Sequence, residues 1–296
     1  MSVNLLTDFQ GNQLPLANEN LLINSDFRNP INQRRQSSYS TSSERVFTVD
    51  RFYISGSASL NVNDGYLAVT LNNASSELGQ SVEIPLTLIN HLTLSMKLLN
   101  FANPYVASIE NVNTMAASES KTASIGANGI FRVYRNVNAQ GDYFTAQLRA
   151  TSATTFNIEW LKLEIGLIAT PLIPKLIAEE LLLCQRYGYD VLNGSSTYGY
   201  VGDGIRIPGN LGRIWIDIPI AMRTIPTLEA NGTFQLFNGT STEVNITSFY
   251  LTNLFCSSNK ISINIPNLSS YEEGDYLTMR VSNNASASFF LDAEIY

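Results

Sequence analysis

The sequence predicts an all-β chain of two β-sandwich, jelly-roll-like domains joined by one short α-helix. Three observations carry that expectation: an uncharged polar composition, repeated alternation of apolar residues at period two, and a single change of period near the middle. Only 15% of the 296 residues are charged while 44% are hydrophobic, so the polar surface must come from Asn, Ser and Thr. Those residues suit turns, and Val, Ile, Thr, Phe and Tyr suit pleated, half-buried strands. A chain of this length exceeds one ordinary β-domain and is long enough for two.

Residues 1–20 are polar, carry Gly11 and Pro15 and hold no sustained period, and read as an extended attachment arm that docks onto something else. The first sandwich is expected over 21–172. Its strand signals are VFTVDRFYI from Val46, YLAVTL from Tyr66 after an Asn63-Asp64-Gly65 turn, the alternation Leu92, Leu94, Met96, Leu98, then Ile130 to Tyr134 and Tyr143 to Leu148. In Thr155 to Ile165 the apolar set changes parity between Trp160 and Leu161. A bulge there or burial on both faces explains the change, and Trp160 reads as core. About eight strands with long connections fit a jelly-roll better than an immunoglobulin sandwich.

Over 173–188 the period becomes 3.6. Pro174 suits a first helical position, Glu179 and Glu180 lie early, Arg186 late and Gly188 just beyond, which brackets a linker helix from Pro174 to Tyr187. Its apolar arc holds Leu176, Ile177, Leu183 and Tyr187, with Glu180 pointing into it, which is wider than one neighbour needs. These five residues are the expected domain or trimer interface.

The second sandwich is expected over 189–296, as the receptor-binding and trimerisation domain. Ile214, Ile216, Ile218 and Ile220 alternate, Asn231-Gly232 and Asn238-Gly239 signal hairpins, and the alternation recurs at Ile261 to Ile265, Leu277 to Val281 and Ser288 to Ile295.

Composition also excludes classes of function. A net charge of −7 argues against tracking a phosphate backbone, and the one basic cluster, Gln33-Arg34-Arg35-Gln36, reads as loop arginines. No stretch has the roughly 18 apolar residues of a membrane span, and the N-terminus lacks the pattern of a secretory signal. The chain is therefore expected to be made in a cytoplasm and to leave by another route. Cys184 and Cys256 cannot frame a chain this long and read as small buried hydrophobes.

A family resemblance rests on three stretches. Trp160 to Tyr187, WLKLEIGLIATPLIPKLIAEELLLCQRY, looks like a junction common in phage and prophage tail or neck fibres: a strand ends in an E-x-G turn, an A-T-P segment follows, and a helix reads E-E-L-x-x-C-Q-R-Y. NENLLINSDFRNP with its continuation to Asn32, together with Val49-Asp50-Arg51-Phe52, resembles the start of the carbohydrate-module-like domain before that junction. Ala221 to Thr227, AMRTIPT, and the terminal LDAEIY resemble the domain after it. Phe52 stands where such modules often have Trp, and Gly188 where a second Tyr often follows. The resemblance implies a virion-attached, trimeric, surface-binding protein and names no ligand.

Nucleophilic catalysis of the Ser-His-Asp kind would need His91, the only histidine, whose context is a turn entering a strand. One His and two distant Cys do not supply a zinc site, and Asn61 to Gly65 echoes a calcium loop less well than it fits a hairpin. Glu159 and Asp217 sit in strands, where a carboxylate ordinarily solubilises, so a surface-glycan hydrolase is a distant alternative. Sugar binding needs flat aromatics with polar groups beside them. The segment from Tyr187 to Asp203 places Tyr198 and Tyr200 around a Gly-rich loop, and Trp215 lies opposite the Ile ladder of its strand. Tyr198, Tyr200, Asp203 and Trp215 are the candidate carbohydrate-binding residues, with packing at an interface as their ordinary role. The sequence thus points to a non-enzymatic fibre protein without metal or cofactor, held as a homotrimer. It would attach to host-surface glycans and join other virion tail or neck proteins through its arm. The alternative is a purely structural fibre or neck decoration.

Overall fold

A computed structural model describes residues 18–83, 91–99, 105–110, 120–124, 129–138, 141–192, 197–239, 243–246, 248–252 and 259–296. Among the described residues the structure is all-β apart from one helix, and the chain forms two compact units, 1–180 with 295–296, and 181–294. Most of the expected arm, 1–17, lies outside the described residues, as does Cys256.

In the first unit the strands are β1 (Ser38–Thr41), β2 (Val46–Phe47), β3 (Tyr53–Ser55), β4 (Ala58–Asn63), β5 (Tyr66–Leu71), β6 (Glu77–Val82), β7 (His91–Leu98), β8 (Tyr105–Glu110), β9 (Ser120–Ser124), β10 (Gly129–Asn138), β11 (Gly141–Ala150) and β12 (Thr154–Ile165). They form two six-stranded antiparallel sheets, ordered β1-β4-β5-β12-β7-β8 and β2-β3-β6-β11-β10-β9. The chain passes repeatedly from one sheet to the other, as a jelly-roll does. Alternating residues face the core: Leu67, Val69 and Leu71 from β5, and Leu92, Leu94, Met96 and Leu98 from β7.

These twelve strands exceed the eight the periodicity marks. Strand β6, ELGQSV, is buried on both faces, with Gln80 fully inside, so it carries no alternation to read. The parity change in β12 is a bulge, with the pairing to β7 shifting between Ile158 and Trp160. The bulge turns Trp160 away from the core; it is half-buried, and Ile158, Leu161 and Leu163 fill the interior instead.

The helix α1 spans Ile177–Gln185 and is shorter than Pro174 to Tyr187. Leu176 accepts its first hydrogen bond, from the Glu180 amide, so Leu176 is the N-cap and Pro174 lies outside. Gly188 is no left-handed cap. It opens β13 (Gly188–Asp190), where a Cβ would stand 2.7 Å from the Phe290 ring. The boundary between the units falls within α1, after Glu180.

The second unit adds β14 (Tyr200–Ile207), β15 (Leu211–Asp217), β16 (Thr227–Asn231), β17 (Phe234–Phe237), β18 (Glu243–Ile246), β19 (Tyr250–Leu251), β20 (Lys260–Ile265), β21 (Tyr276–Val281) and β22 (Ser288–Asp292). A three-stranded sheet, β13-β22-β16, and a seven-stranded one, β18-β17-β21-β14-β15-β20-β19, enclose the core. Asn238-Gly239 joins a β17–β18 hairpin as expected. Asn231-Gly232 does not make a hairpin, because β16 and β17 belong to different sheets. The last strand stops at Asp292, and Tyr296 packs edge-on to Phe47 in the first unit, with ring centroids 5.0 Å apart.

Candidate functional site

Strand β14 alternates about Asp203. Gly202 and Gly204 are buried, so Asp203 points outward from the seven-stranded sheet. A Cβ on Gly204 would stand 1.8 Å from the Arg213 carbonyl, so only glycine lets β14 and β15 approach this closely. Antiparallel register then sets Trp215 of β15 and Thr278 of β21 on either side of Asp203. Ile214 and Ile216 face the core, and Trp215, half-buried, lies on the outer face.

Asp203 gathers hydroxyl donors. Tyr200 Oη donates to Oδ2 at 2.7 Å and Thr278 Oγ1 donates to Oδ1 at 2.8 Å, and the Tyr276 phenol stands beside the same carboxylate. Burial pushes the Asp203 carboxyl up, but the hydroxyls of Tyr200, Thr278 and Tyr276 outweigh it and hold the group below the usual carboxylate range. Burial pushes the Tyr200 phenol up, and the bond to Asp203 adds to it. The same carboxylate raises the Tyr276 phenol. Both rings are 55% exposed, and Tyr198 is 52% exposed. A fixed carboxylate thus orients the open phenol of Tyr200 and stands beside that of Tyr276.

Further along this face Arg280 pairs with Glu243 at 2.5 Å and stands 5.2 Å from the ring centres of Tyr198 and Phe237. Gln235, its amide oxygen turned to the guanidinium, accepts from Arg280 at 2.7 Å. Lys260 pairs with Asp217 at 3.0 Å, and Arg213 Nε donates to Asn264 Oδ1 at 3.4 Å. The face therefore offers aromatic surface and hydrogen-bonding groups, with Arg280 and Lys260 each paired to a carboxylate.

All four residues expected to bind carbohydrate, Tyr198, Tyr200, Asp203 and Trp215, lie on or beside the same two outward strands. The sequence reading missed Tyr276, Thr278, Arg280 and Glu243. They arrive from β21 and β18, far along the chain, and only the alternation in β21 marks its even-numbered residues as outward.

Of the five expected interface residues, Leu176, Ile177 and Glu180 belong to the first unit and Leu183 and Tyr187 to the second. Leu176 is 71% exposed and Ile177 56% exposed. Glu180 is half-buried, its Oε1 accepting the Asn24 amide in the first unit. Leu183 is half-buried in the second unit, where Tyr187 is buried and its carbonyl accepts the Ala293 amide.

The family-like motifs hold backbone. Asn20, expected at the end of the arm, is built into the first unit: its amide nitrogen donates to the Leu161 carbonyl at 2.9 Å and its oxygen accepts the Leu163 amide at 3.0 Å. Asn24 fastens Ile31 and Asp50 in the same way. In the E-x-G and A-T-P segments, buried Glu164 accepts the Thr170 amide at 2.9 Å and its hydroxyl at 2.5 Å. Lys162 balances that charge at 3.1 Å and donates to the Pro171 carbonyl at 3.0 Å. A cleft of about 250 Å³ opens beside Asn20, Asn24 and Lys175. In the second unit a groove of about 650 Å³ runs past Pro226, Phe249 and Tyr250. Neither cleft contains a residue of the Asp203 cluster.

No family model matches the chain, and no curated protein matches it. Among solved structures it is similar to the N-terminal CBM22-1-CBM22-2 tandem domain from Paenibacillus barcinonensis Xyn10C. That match has 12% identity and a TM-score of 0.24, over 95% of this chain and 98% of that one. A superposition that loose carries no argument, and the fold rests on the strands themselves.

Proposed function

We propose that the chain is a virion fibre protein that attaches its particle to a host-surface glycan by non-covalent, multivalent contact. The observation that carries this reading is the Asp203 cluster, in which one carboxylate fixes the exposed phenol of Tyr200, with the exposed phenol of Tyr276 and the ring of Trp215 beside it. Rings stack on the apolar faces of sugars, and oriented hydroxyls meet their polar edges. The similarity of the junction around Glu164 to those of tail and neck fibres supports placement on a virion. Three linked copies would raise avidity without strong single-site affinity.

A second reading, assembly, is favoured by one observation. Leu167, Ile168, Ile173, Leu176 and Ile177 are all more than half exposed in one short segment of the first unit, and such apolar surface is ordinarily covered by a partner. In this reading the segment meets symmetry mates in a trimer or other tail or neck proteins, together with the arm at 1–20. The two roles are compatible.

The test is binding of the intact chain to a printed glycan array and to whole host cells. Tyr200→Ala with Tyr276→Ala is expected to weaken binding at least tenfold, about 1.4 kcal/mol. Binding that the pair of substitutions leaves unchanged would remove this face from the proposal.

A further inference from the structure

We propose that the face around Asp203 takes a neutral saccharide and rejects anionic ones, an inference that rests on the glycan-binding reading above. Three cations, Arg213, Lys260 and Arg280, and three anions, Asp203, Asp217 and Glu243, lie on this face, and Arg213 donates to the Asn264 amide oxygen. Arg280 is already held by Glu243, Gln235 and the rings of Tyr198 and Phe237. Lys260 is held by Asp217. A carboxylated or sulfated sugar would have to displace Asp217 to gain Lys260, or Glu243 to gain Arg280. It would do so beside Asp203, on a chain of net charge −7 whose acidic residues Glu272, Glu273 and Asp275 precede Tyr276 in the sequence.

Hydrogen-bond polarity points the same way. The hydroxyls of Tyr200 and Thr278 spend their hydrogens on Asp203, so their oxygens present lone pairs outward, made better acceptors by the carboxylate behind them. Such a surface needs a ligand that donates. A neutral sugar brings hydroxyl donors around its ring, whereas a carboxylate or sulfate only accepts.

The experiment uses the intact chain and an array of neutral oligosaccharides beside carboxylated and sulfated ones, read at about 50 and about 500 mM NaCl, a range over which exposed charge pairs are strongly screened. The bound members are expected to be neutral, with an apparent Kd that moves less than about twofold across that range. Tyr200→Phe, which keeps the ring and removes the oxygen, should weaken it several-fold. Acidic members bound with affinity falling tenfold or more in high salt would overturn the inference and leave glycan binding standing. An array with no bound member would overturn both.

Discussion

The phenol of Tyr200 donates to Oδ2 of Asp203 at 2.7 Å, across a β-bulge that lets residues three apart in sequence meet on one face. Ionising Tyr200 would set its oxygen against a carboxylate, so the bond protects both partners from a change of charge.

That bond predicts a broad pH window. The Asp203 pKa is lowered in the folded chain, so its contribution is present above the ordinary carboxylate pKa of about 3.9 and is lost as pH falls through the lower folded value. The Tyr200 and Tyr276 values are raised, so their contribution is present below the ordinary phenol pKa of about 10 and is lost as pH rises through the folded values. Spectroscopic titration should show these phenols ionising later than free tyrosine, and Asp203→Asn should bring them back toward it.

Removing one hydroxyl separates binding from folding. Tyr200→Phe breaks one hydrogen bond at a half-exposed site and should cost about 1 kcal/mol or less in chemical denaturation. A loss of several kcal/mol would show that the cluster serves the fold and not a ligand.

Gly204→Ala should be severe. The added Cβ meets a backbone oxygen at 1.8 Å that cannot turn aside as a side chain would, so β14 and β15 must part. A loss of about 3 kcal/mol or more is expected, at the top of the range for overpacking. Circular dichroism with urea denaturation measures it.

Lys162 and Glu164 form a buried pair, 1% and 0% exposed at the side chain. Glu164→Ala leaves Lys162 inside without its counter-charge, and frees Thr170. The expected loss is about 3–5 kcal/mol, while Lys162→Met with Glu164→Leu should recover most of it. Denaturation midpoints of the single and double variants decide the matter.

Leu176→Asp with Ile177→Asp changes exposed side chains and should leave the denaturation midpoint within about 0.5 kcal/mol. If these residues meet symmetry mates, light scattering will report a smaller mass for the variant than for the parent chain. An unchanged mass would exclude this segment as the assembly surface.

How far each feature was legible depends on the distance over which it is specified. Alternation marked β5, β7, β15, β20 and β21, because a strand with one face on a core repeats every two residues. It missed β6, where burial on both faces erases the pattern, and it took Asn231-Gly232 for a hairpin, since a turn dipeptide does not say which sheet follows. Tyr198, Tyr200, Asp203 and Trp215 were legible as candidates because they are close in sequence. Tyr276 and Thr278 were not, because their place beside Asp203 is set by pairing between strands some 70 residues apart.

The sequence by itself determined the all-β class, the helix between two β-regions and the outward place of Trp215 on β15, since each follows from local period and turn chemistry. Only the tertiary structure decided that Asn20, Asn24, Glu164 and Lys162 hold backbone, and that Asp203 collects three hydroxyls. Those roles depend on register and on which polar groups are buried together, and neither is written in any local stretch of chain.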